Sequence, residues 1–339
     1  MTKIALLGQR TCCTPFFHTE YRSSFQQHYN LVDRPEHADI IICSLAIEVR
    51  DNIGKIRECI THNPDLKLVV ISEEPLWDTI WGGDFTLKEG LLHIGGKDYP
   101  YTVLNHFTTK IFDFEKIPYF LTTNDDFSLK YSTLFGRNCS YRSAELLALW
   151  KNAQKRAVFY AERREEAIHD FRFSDLDLFG LSRYRTLIAS GLQGNGIVKV
   201  GHGWGSTVHR HKIPDWHQDK LTDLDQQAFL ISGIENTHQW NYVTEKIFDA
   251  FAVLGVPLYF ASPSHSVMRL VPPESFINLY GLSVGAAIEK IRSFKPDLAF
   301  AERYLEAQSR LFEIFSDPAN LVRERERVVS EITSELNLL

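Results

Sequence analysis

Four polar residues stand directly ahead of a strongly apolar stretch of the chain. They lie between a predicted strand at 228–234 and the first turn of the next helix, and are Asn236, Tyr242, Glu245 and Lys246. Asn241 or Thr244 is expected to cap this helix, whose unpaired N–H groups and dipole favour an anion. A lysine in the first helical turn opposes the dipole, so its presence indicates a bound anion. A surface Glu–Lys pair beside an ordinary N-cap is the alternative explanation.

A second group of candidate residues stands in the first half of the chain. The run LKLVVISE, residues 66–73, predicts a buried strand, and Glu73 and Glu74 come at its end. Open α/β sheets bind ligands at the carboxyl ends of their strands, where a carboxylate can act as a general base. Two adjacent carboxylates are expected to raise each other's pKa, which suits a base near neutral pH. The alternative is that one glutamate caps a loop and neither is catalytic.

Short apolar runs alternate with helical patterns in the first half of the chain. The predicted strands are residues 3–8, 38–47 and 66–73. Residues 52–63 have the spacing of an amphipathic helix, and residues 90–96 and 99–107 are further candidate strands. Continuous apolar runs are typical of a parallel sheet that is covered on both faces. This half therefore predicts an α/β domain.

The same alternation returns after residue 141. The predicted helices are 143–153, 163–171, 244–255, 283–294, 296–315 and 320–336, and the predicted strands are 156–162, 175–180, 228–234 and 256–262. The sequence thus predicts a second α/β domain, with the boundary near residue 150 and a cleft between the two domains.

Composition excludes several functional classes. A formal net charge of −6 argues against general nucleic-acid binding, which requires a basic surface. The five cysteines form no C-x-x-C pair, and the spacing of His202, His209, His211 and His217 matches no standard zinc site, so no metal is expected. The N-terminus does not resemble a signal peptide, and no apolar run is long enough to span a bilayer. We therefore expect a cytoplasmic protein without a transmembrane segment.

The segment Phe229–Leu279 carries an ordered set of short motifs. They are Glu235-Asn236-Thr237, Tyr242-Val243-Thr244-Glu245-Lys246, a Pro-containing strand at Val256–Phe260, and Pro273-Glu274-Ser275-Phe276-Ile277-Asn278. This order resembles the donor-domain signature of the α1,3/4-fucosyltransferases, the family 10 glycosyltransferases, of bacterial type. Outside this segment the resemblance is weaker, and it is nearly absent in residues 1–65 and 80–140.

The resemblance implies a GT-B fold of two Rossmann-like domains facing each other across a cleft. The acceptor-binding domain would be residues 1–150, the donor-binding domain residues 151–319, and residues 320–339 a C-terminal helix. The implied reaction is the inverting transfer of L-fucose from GDP-β-L-fucose to a hydroxyl of a glycan or oligosaccharide acceptor, with no cofactor.

The resemblance also implies roles for the polar residues around the helix N-terminus. Lys246 would neutralise diphosphate oxygens, and Glu245 would hold the hydroxyls of the donor's ribose. Asn236 and Tyr242 would contact the diphosphate and the sugar. These roles suit the chemistry, because negative charge develops on the leaving diphosphate as the sugar–phosphate bond breaks.

Two further roles follow from the resemblance. The family places an arginine at the start of the donor domain's first helix, with apolar residues four and seven positions later, and Arg164 fits this pattern better than Arg163. The family's catalytic glutamate follows a strand, which assigns the general base to Glu74, with Glu73 as the second choice.

Two features leave alternatives open. Gly233 and Ile234 stand where the family usually has a bulky or aromatic residue, so the donor could be another nucleotide deoxysugar. A non-catalytic glycan-binding relative would tolerate the loss of Glu74. Trp204, in a section rich in Gly and His, is a candidate to stack on the donor or else belongs to a surface loop.

Overall fold

The computed structural model describes residues 1–205 and 215–339, which form two compact units. The first unit is Met1–Asp125 together with Leu321–Leu339, and the second unit is Asp126–Asn320. Each unit is an α/β structure built on a largely parallel sheet, which confirms the predicted fold class of each half. Among the helices of the described ranges, none is both long enough and apolar enough to cross a bilayer.

The sheet of the first unit has the strand order β2-β1-β3-β4-β6-β5. Its strands are β1 (Thr2–Leu6), β2 (Tyr29–Leu31), β3 (Ile40–Cys43), β4 (Lys67–Ile71), β5 (Glu89–Ile94) and β6 (Lys97–Leu104). Its helices are α1 (Thr19–Gln26), α2 (Ala46–Asp51), α3 (Ile53–His62), α4 (Pro75–Trp81) and α5 (Tyr119–Thr122). Strand β5 runs antiparallel to β6, as a hairpin, and the other pairs are parallel.

Successive residues of β3 face opposite sides of this sheet, and both sides are apolar. Ile40 and Ile42 belong to a core cluster that includes Val328 and Ile332, whereas Ile41 belongs to the cluster on the other face. A strand buried on both faces must be apolar at every position, which explains the continuous apolar runs in the sequence.

The second unit contains a five-stranded parallel sheet in the order β10-β7-β11-β13-β14 and a small antiparallel sheet, β12-β9-β8. Its strands are β7 (Lys155–Tyr160), β8 (Arg172–Phe173), β9 (Leu178–Gly180), β10 (Ile197–Val200), β11 (Ala228–Ser232), β12 (Thr237–His238), β13 (Val256–Tyr259) and β14 (Ile277–Asn278). Its helices are α6 (Asp125–Asn138), α7 (Ser143–Asn152), α8 (Ser182–Gly191), α9 (Trp216–Leu224), α10 (Glu245–Ala252), α11 (Val267–Leu270), α12 (Val284–Ser293) and α13 (Leu298–Ser316). The last helix, α14 (Pro318–Leu336), leads back into the first unit.

The division of the chain lies at residue 125 rather than near residue 150. Helices α6 and α7 belong to the second unit because their side chains donate hydrogen bonds to the backbone at the end of α10 and just after it. Asn138 Nδ2 donates to the carbonyl of Ala252 at 2.9 Å, and Trp150 Nε1 donates to the carbonyl of Leu254 at 2.8 Å. The final helix, set apart in the sequence prediction as residues 320–339, is part of the first unit.

The helix predicted at 163–171 is absent, and only a short 3-10 helix at Ala167–His169 occurs in that range. The backbone N–H of Arg163 donates to the carbonyl of His202 at 2.9 Å, and that of Arg164 donates to the hydroxyl of Thr186 at 3.0 Å. The first bond continues the pairing of β7 with β10, and the second ties the chain to α8. Because both N–H groups are bonded outside a local helix, no helix starts here.

Candidate active site

The second sheet has a topological switch point beside β7. The chain passes from β7 to β10 on one side of β7 and then crosses to β11 on the other side. The loops that follow β7 and β11 therefore diverge and open a crevice at the carboxyl ends of these strands, where such sheets bind ligands. Glu162 and Arg164 lie in the first loop, and Glu235 and Asn236 lie in the second.

A buried carboxylate, Glu235, organises the start of α10. Its Oε1 accepts hydrogen bonds from the backbone N–H and the hydroxyl of Thr244, each at 2.8 Å. Its Oε2 lies 2.8 Å from Nζ of Lys246, which also donates to the Thr244 hydroxyl at 2.8 Å. The ammonium is thus fixed in place before any ligand arrives, and sequence reasoning had assigned no role to Glu235.

Lys246 remains a cation in this position. Burial lowers the pKa of Lys246, but the carboxylates of Glu235 and Glu245 outweigh burial and raise that pKa above its usual value. The Glu245 carboxylate lies 3.8 Å from the ammonium. The Lys246 side chain keeps 15% of its surface exposed, whereas that of Glu235 keeps 3%. The more accessible partner of this ion pair is therefore the positive one.

The predicted capping of α10 is only partly correct. Thr244 is the N-cap residue, but its side chain makes no capping hydrogen bond to the helix, and its hydroxyl bonds to Glu235 instead. Asn241 instead donates its own backbone N–H to the side-chain oxygen of Gln239 at 2.9 Å. The N-terminus of α10 carries the positive end of the helix dipole and lies beside Lys246, and both favour an anion.

Arg185, which sequence reasoning missed, contributes a second buried cation. Its Nη1 donates to the carbonyl of Ile234 at 3.1 Å, directly before Glu235. Burial and the neighbouring Arg164 lower the pKa of Arg185 to about 10, so it stays protonated at neutral pH. Apolar Ala189 follows four positions later in α8, and Leu192 follows seven positions later. That spacing had been sought at 163–171, where no helix forms.

Arg164 lies near Arg185 but bonds to its own loop. Its Nη2 and Nε donate to Glu162 Oε2 at 2.8 and 3.2 Å. Arg163 pairs with Glu165 at 2.8 Å and lies over the ring of Trp204, 5.3 Å from its centroid. Arg164 lies close enough to Arg185 to lower its pKa. The helical spacing that favoured Arg164 over Arg163 does not exist, because no helix forms at 163–171.

The remaining predicted donor residues differ in accessibility. Asn236 is partly exposed, and its carbonyl accepts the N–H of Leu181 at 2.8 Å. Tyr242 and Glu245 are buried. Gly233 has no room for a larger residue without adjustment, because a Cβ there would lie 3.2 Å from Cα of Ile247.

The candidate bases lie in the first unit, at the end of β4. Glu73 is buried, and its Oε2 lies 3.9 Å from Nε2 of His18. Glu74 is partly exposed and occupies the N-cap position of α4, with its N–H donating to the Ser72 hydroxyl at 3.4 Å. Accessibility thus favours Glu74 over Glu73 as the residue that meets a substrate.

A buried carboxyl in α4 was not singled out from the sequence. Asp78 is 4% exposed, and its pKa is raised to about 7, mainly by burial. The hydrogen bond to Ser72 lowers this pKa, and the neighbouring Glu74 raises it further. Asp78 lies in the first turn of α4, one helical turn beyond Glu74.

Trp204, in the Gly-rich section, contacts the loop that follows β7. Trp204 Nε1 donates to the carbonyl of Ala161 at 3.0 Å, and Lys199 and Arg163 both lie over its ring. His209 and His211 lie outside the described residues. No group of three or more His, Cys, Asp or Glu side chains that could hold a metal ion occurs in residues 1–205 and 215–339.

Part of the sequence is similar to the sequences of fucosyltransferases. Residues 183–311 match the model of the glycosyltransferase family 10 (fucosyltransferase) C-terminal domain. Over 63 residues the chain is 40% identical to the alpha-(1,3)-fucosyltransferase FucT of Helicobacter pylori, and this match covers 19% of the chain and 13% of that protein.

Solved structures of α1,3-fucosyltransferases align with most of the chain. The structure with GDP-fucose has 18% sequence identity and a TM-score of 0.45, and the alignment covers 91% of this chain and 81% of that one. The structure with GDP has 17% identity and a TM-score of 0.44 over the same shares.

The resemblance predicted at Phe229–Leu279 is confirmed, since that segment lies wholly within the matched residues. The matched range also contains α8 with Arg185, strand β11, and α10 with Lys246. The matched residues lie wholly within the second unit, which is therefore similar to the C-terminal domain of glycosyltransferase family 10, the fucosyltransferase family.

Proposed function

We propose that this protein is an inverting glycosyltransferase that transfers L-fucose from GDP-β-L-fucose to a hydroxyl of a glycan acceptor. The observation that carries the proposal is that two cations, the partly exposed Lys246 and the buried Arg185, lie at the switch point of the domain that matches family 10. A diphosphate needs such compensation, and the N-terminus of α10 adds its dipole to the same place.

The donor would be held by its diphosphate and ribose. Lys246 would contact the diphosphate oxygens, with Arg185 and then Arg164 supplying further positive charge. Asn236, which is partly exposed, would contact the diphosphate or the sugar. The roles of Glu245 on the ribose and of Tyr242 on the donor stay predictions, and the burial of both side chains suits groups that move little on binding.

Departure of the diphosphate is the step that these cations would assist. As the sugar–phosphate bond breaks, positive charge develops at the anomeric carbon and negative charge on the leaving GDP. Lys246 is already fixed by Glu235 and Thr244, so no reorganisation is needed when this charge appears. In this proposal the protein needs no metal or other cofactor for the leaving group.

The acceptor hydroxyl must lose a proton as it attacks. Glu74 would take this proton, because it is the more accessible of the two glutamates at the end of β4. Glu73 is the second candidate, and its buried carboxylate beside His18 suits a supporting role.

The test is transfer from GDP-fucose to a panel of oligosaccharide acceptors by wild type, Glu74→Gln and Glu73→Gln. We expect wild type to release GDP and form a fucosylated product, and Glu74→Gln to lower kcat by about 10²- to 10⁴-fold with GDP affinity unchanged. If the protein turns over another nucleotide deoxysugar but not GDP-fucose, that other nucleotide sugar is the donor. GDP-fucose binding without transfer to any acceptor would favour a non-catalytic relative.

A further inference from the structure

One aromatic side chain stands out from the buried segment that carries the candidate donor residues. In residues 231–250, all of which the structure describes, every residue is buried except three. Asn236 and Lys246 are partly exposed, and Trp240 is 41% exposed. This segment therefore presents an amide, an indole and an ammonium to its surroundings.

The exposure of Trp240 does not come from a loose backbone. The backbone N–H of Ser266 donates to the carbonyl of Trp240 at 2.8 Å. On either side, Tyr242 N–H donates to the carbonyl of Gln239 at 3.0 Å, and Asn241 N–H donates to the Gln239 side chain at 2.9 Å. Gln239 and Asn241 are themselves buried, so the turn fixes the backbone from which the accessible indole projects.

The position of Trp240 within this segment suggests what it contacts. In the chain it lies between Asn236 and Lys246, the two other accessible side chains of the segment. A rigid aromatic beside a few polar groups is the usual composition of a small-molecule site, because the ring supplies apolar contact at low conformational cost. A pyranose presents such a surface on its C–H face, and a deoxysugar adds a methyl group.

We propose that Trp240 packs against the sugar of the nucleotide-sugar donor and determines specificity for that sugar. The inference rests on the proposed function, since it deepens the assignment of the donor site. Trp240 would bind the hexose while Lys246 and Arg185 bind the diphosphate. Its contribution is therefore absent from the binding of the free nucleotide.

The experiment compares GDP with GDP-fucose by calorimetry in the absence of acceptor. The variants are Trp240→Ala, Trp240→Phe and the control Phe312→Ala, which removes an aromatic side chain that is 37% exposed in α13 of the same unit. We expect Trp240→Ala to weaken GDP-fucose binding by about tenfold and to leave GDP binding unchanged. Trp240→Phe should restore most of the loss, and Phe312→Ala should bind both as wild type does.

Several results would overturn the inference. If Trp240→Ala weakens GDP and GDP-fucose in parallel, the residue supports the nucleotide or the fold rather than the sugar. If it binds both ligands as wild type does and alters only the KM for acceptor, Trp240 belongs to acceptor recognition. If wild type itself binds neither ligand, the proposed function fails and the inference fails with it. Thermal unfolding of each variant shows whether the chain is still folded.

Discussion

The ion pair between Lys246 and Glu235 illustrates how one residue sets the position of another. The buried carboxylate of Glu235 accepts hydrogen bonds from the N–H and the hydroxyl of Thr244 and from the ammonium of Lys246, so both of its oxygens are engaged. Removing the lysine would leave that carboxylate without its compensating charge. Glu235 therefore supports both the local structure and the position of the ammonium.

A double-mutant cycle on free energies of unfolding measures this dependence. We expect Lys246→Met to lower the free energy of unfolding by about 2–3 kcal/mol, a value below that of a fully buried pair because the lysine keeps some exposure. Adding Glu235→Gln to Lys246→Met should recover part of this loss, since the orphaned charge is removed. Strictly additive effects in urea denaturation would show that the two side chains are not coupled.

Arg185 provides a test that separates charge from geometry. Arg185→Lys keeps a positive charge but loses the planar fork that donates to Ile234 and can bond to a diphosphate. We expect this variant to bind GDP about five- to tenfold more weakly in calorimetry. The control is Arg303→Ala, an exposed arginine in the same unit. Wild-type affinity in Arg185→Lys would remove Arg185 from the proposed site.

Helix α4 shows how an element holds the candidate base. Ser72 accepts the N–H of Glu74 through its hydroxyl, and the same hydroxyl bonds to the carboxyl of Asp78. The end of β4 and the first turn of α4 are thereby tied together at the residue proposed to take the acceptor's proton. Asp78 is buried and is most stable in its neutral form, because burial raises its pKa to about 7.

The raised pKa of Asp78 predicts a dependence of stability on pH. An aspartate in the unfolded chain titrates near pH ~4, so the folded state binds the extra proton between that pH and about 7. The stabilisation is complete at the acidic end and is lost as pH rises towards about 7. We expect Asp78→Asn to flatten this fall and to be more stable than wild type at pH ~8, by up to about 4 kcal/mol.

The matched control for Asp78 is Asp65→Asn, which changes an exposed aspartate of the same unit. Urea unfolding of both variants across the pH range gives the comparison. A pH profile of Asp78→Asn that runs parallel to wild type would show that the Asp78 carboxyl titrates normally.

The sequence predicted elements well where periodicity is strong and failed where tertiary bonds decide. The β-α-β unit around α10 was foreseen because its apolar residues recur regularly and its motifs are local. The helix at 163–171 was wrong, because the backbone of Arg163 and Arg164 bonds to His202 and Thr186, which are distant in sequence. Arg185 was missed for the same reason, since its partner Ile234 is reached only in the folded chain.

The last helix of the chain belongs to the same unit as the N-terminal residues. The C-terminal helix α14 follows the second unit in sequence, yet Val328, Ile332 and Leu336 pack in the core cluster of the first sheet. The apolar residues that recur at helical spacing in α14 are therefore core positions. Its charged residues are divided, since Glu326 is exposed whereas Glu324 is buried and accepts the backbone N–H of Glu115 at 2.6 Å. The first unit depends on both ends of the chain.

Substitutions in α14 test this dependence. We expect Ile332→Ala to lower the free energy of unfolding by about 2–5 kcal/mol, because it opens a cavity in a fully buried position. Val322→Ala, in the same helix but 52% exposed, should change it by less than about 0.5 kcal/mol. Equal effects of the two substitutions in denaturant unfolding would show that α14 does not pack as described.

The central claim is that the second unit binds a guanosine diphosphate through Lys246, and calorimetry of GDP against UDP tests it most directly. The proteins are wild type, Lys246→Met, the double variant Glu235→Gln/Lys246→Met, and the control Lys295→Ala, which removes an exposed lysine of the same unit. We expect wild type and Lys295→Ala to bind GDP and to prefer it to UDP, and both Lys246 variants to lose about tenfold or more in GDP affinity. Absence of GDP binding in wild type, or equal affinity in Lys246→Met and Lys295→Ala, would contradict the claim.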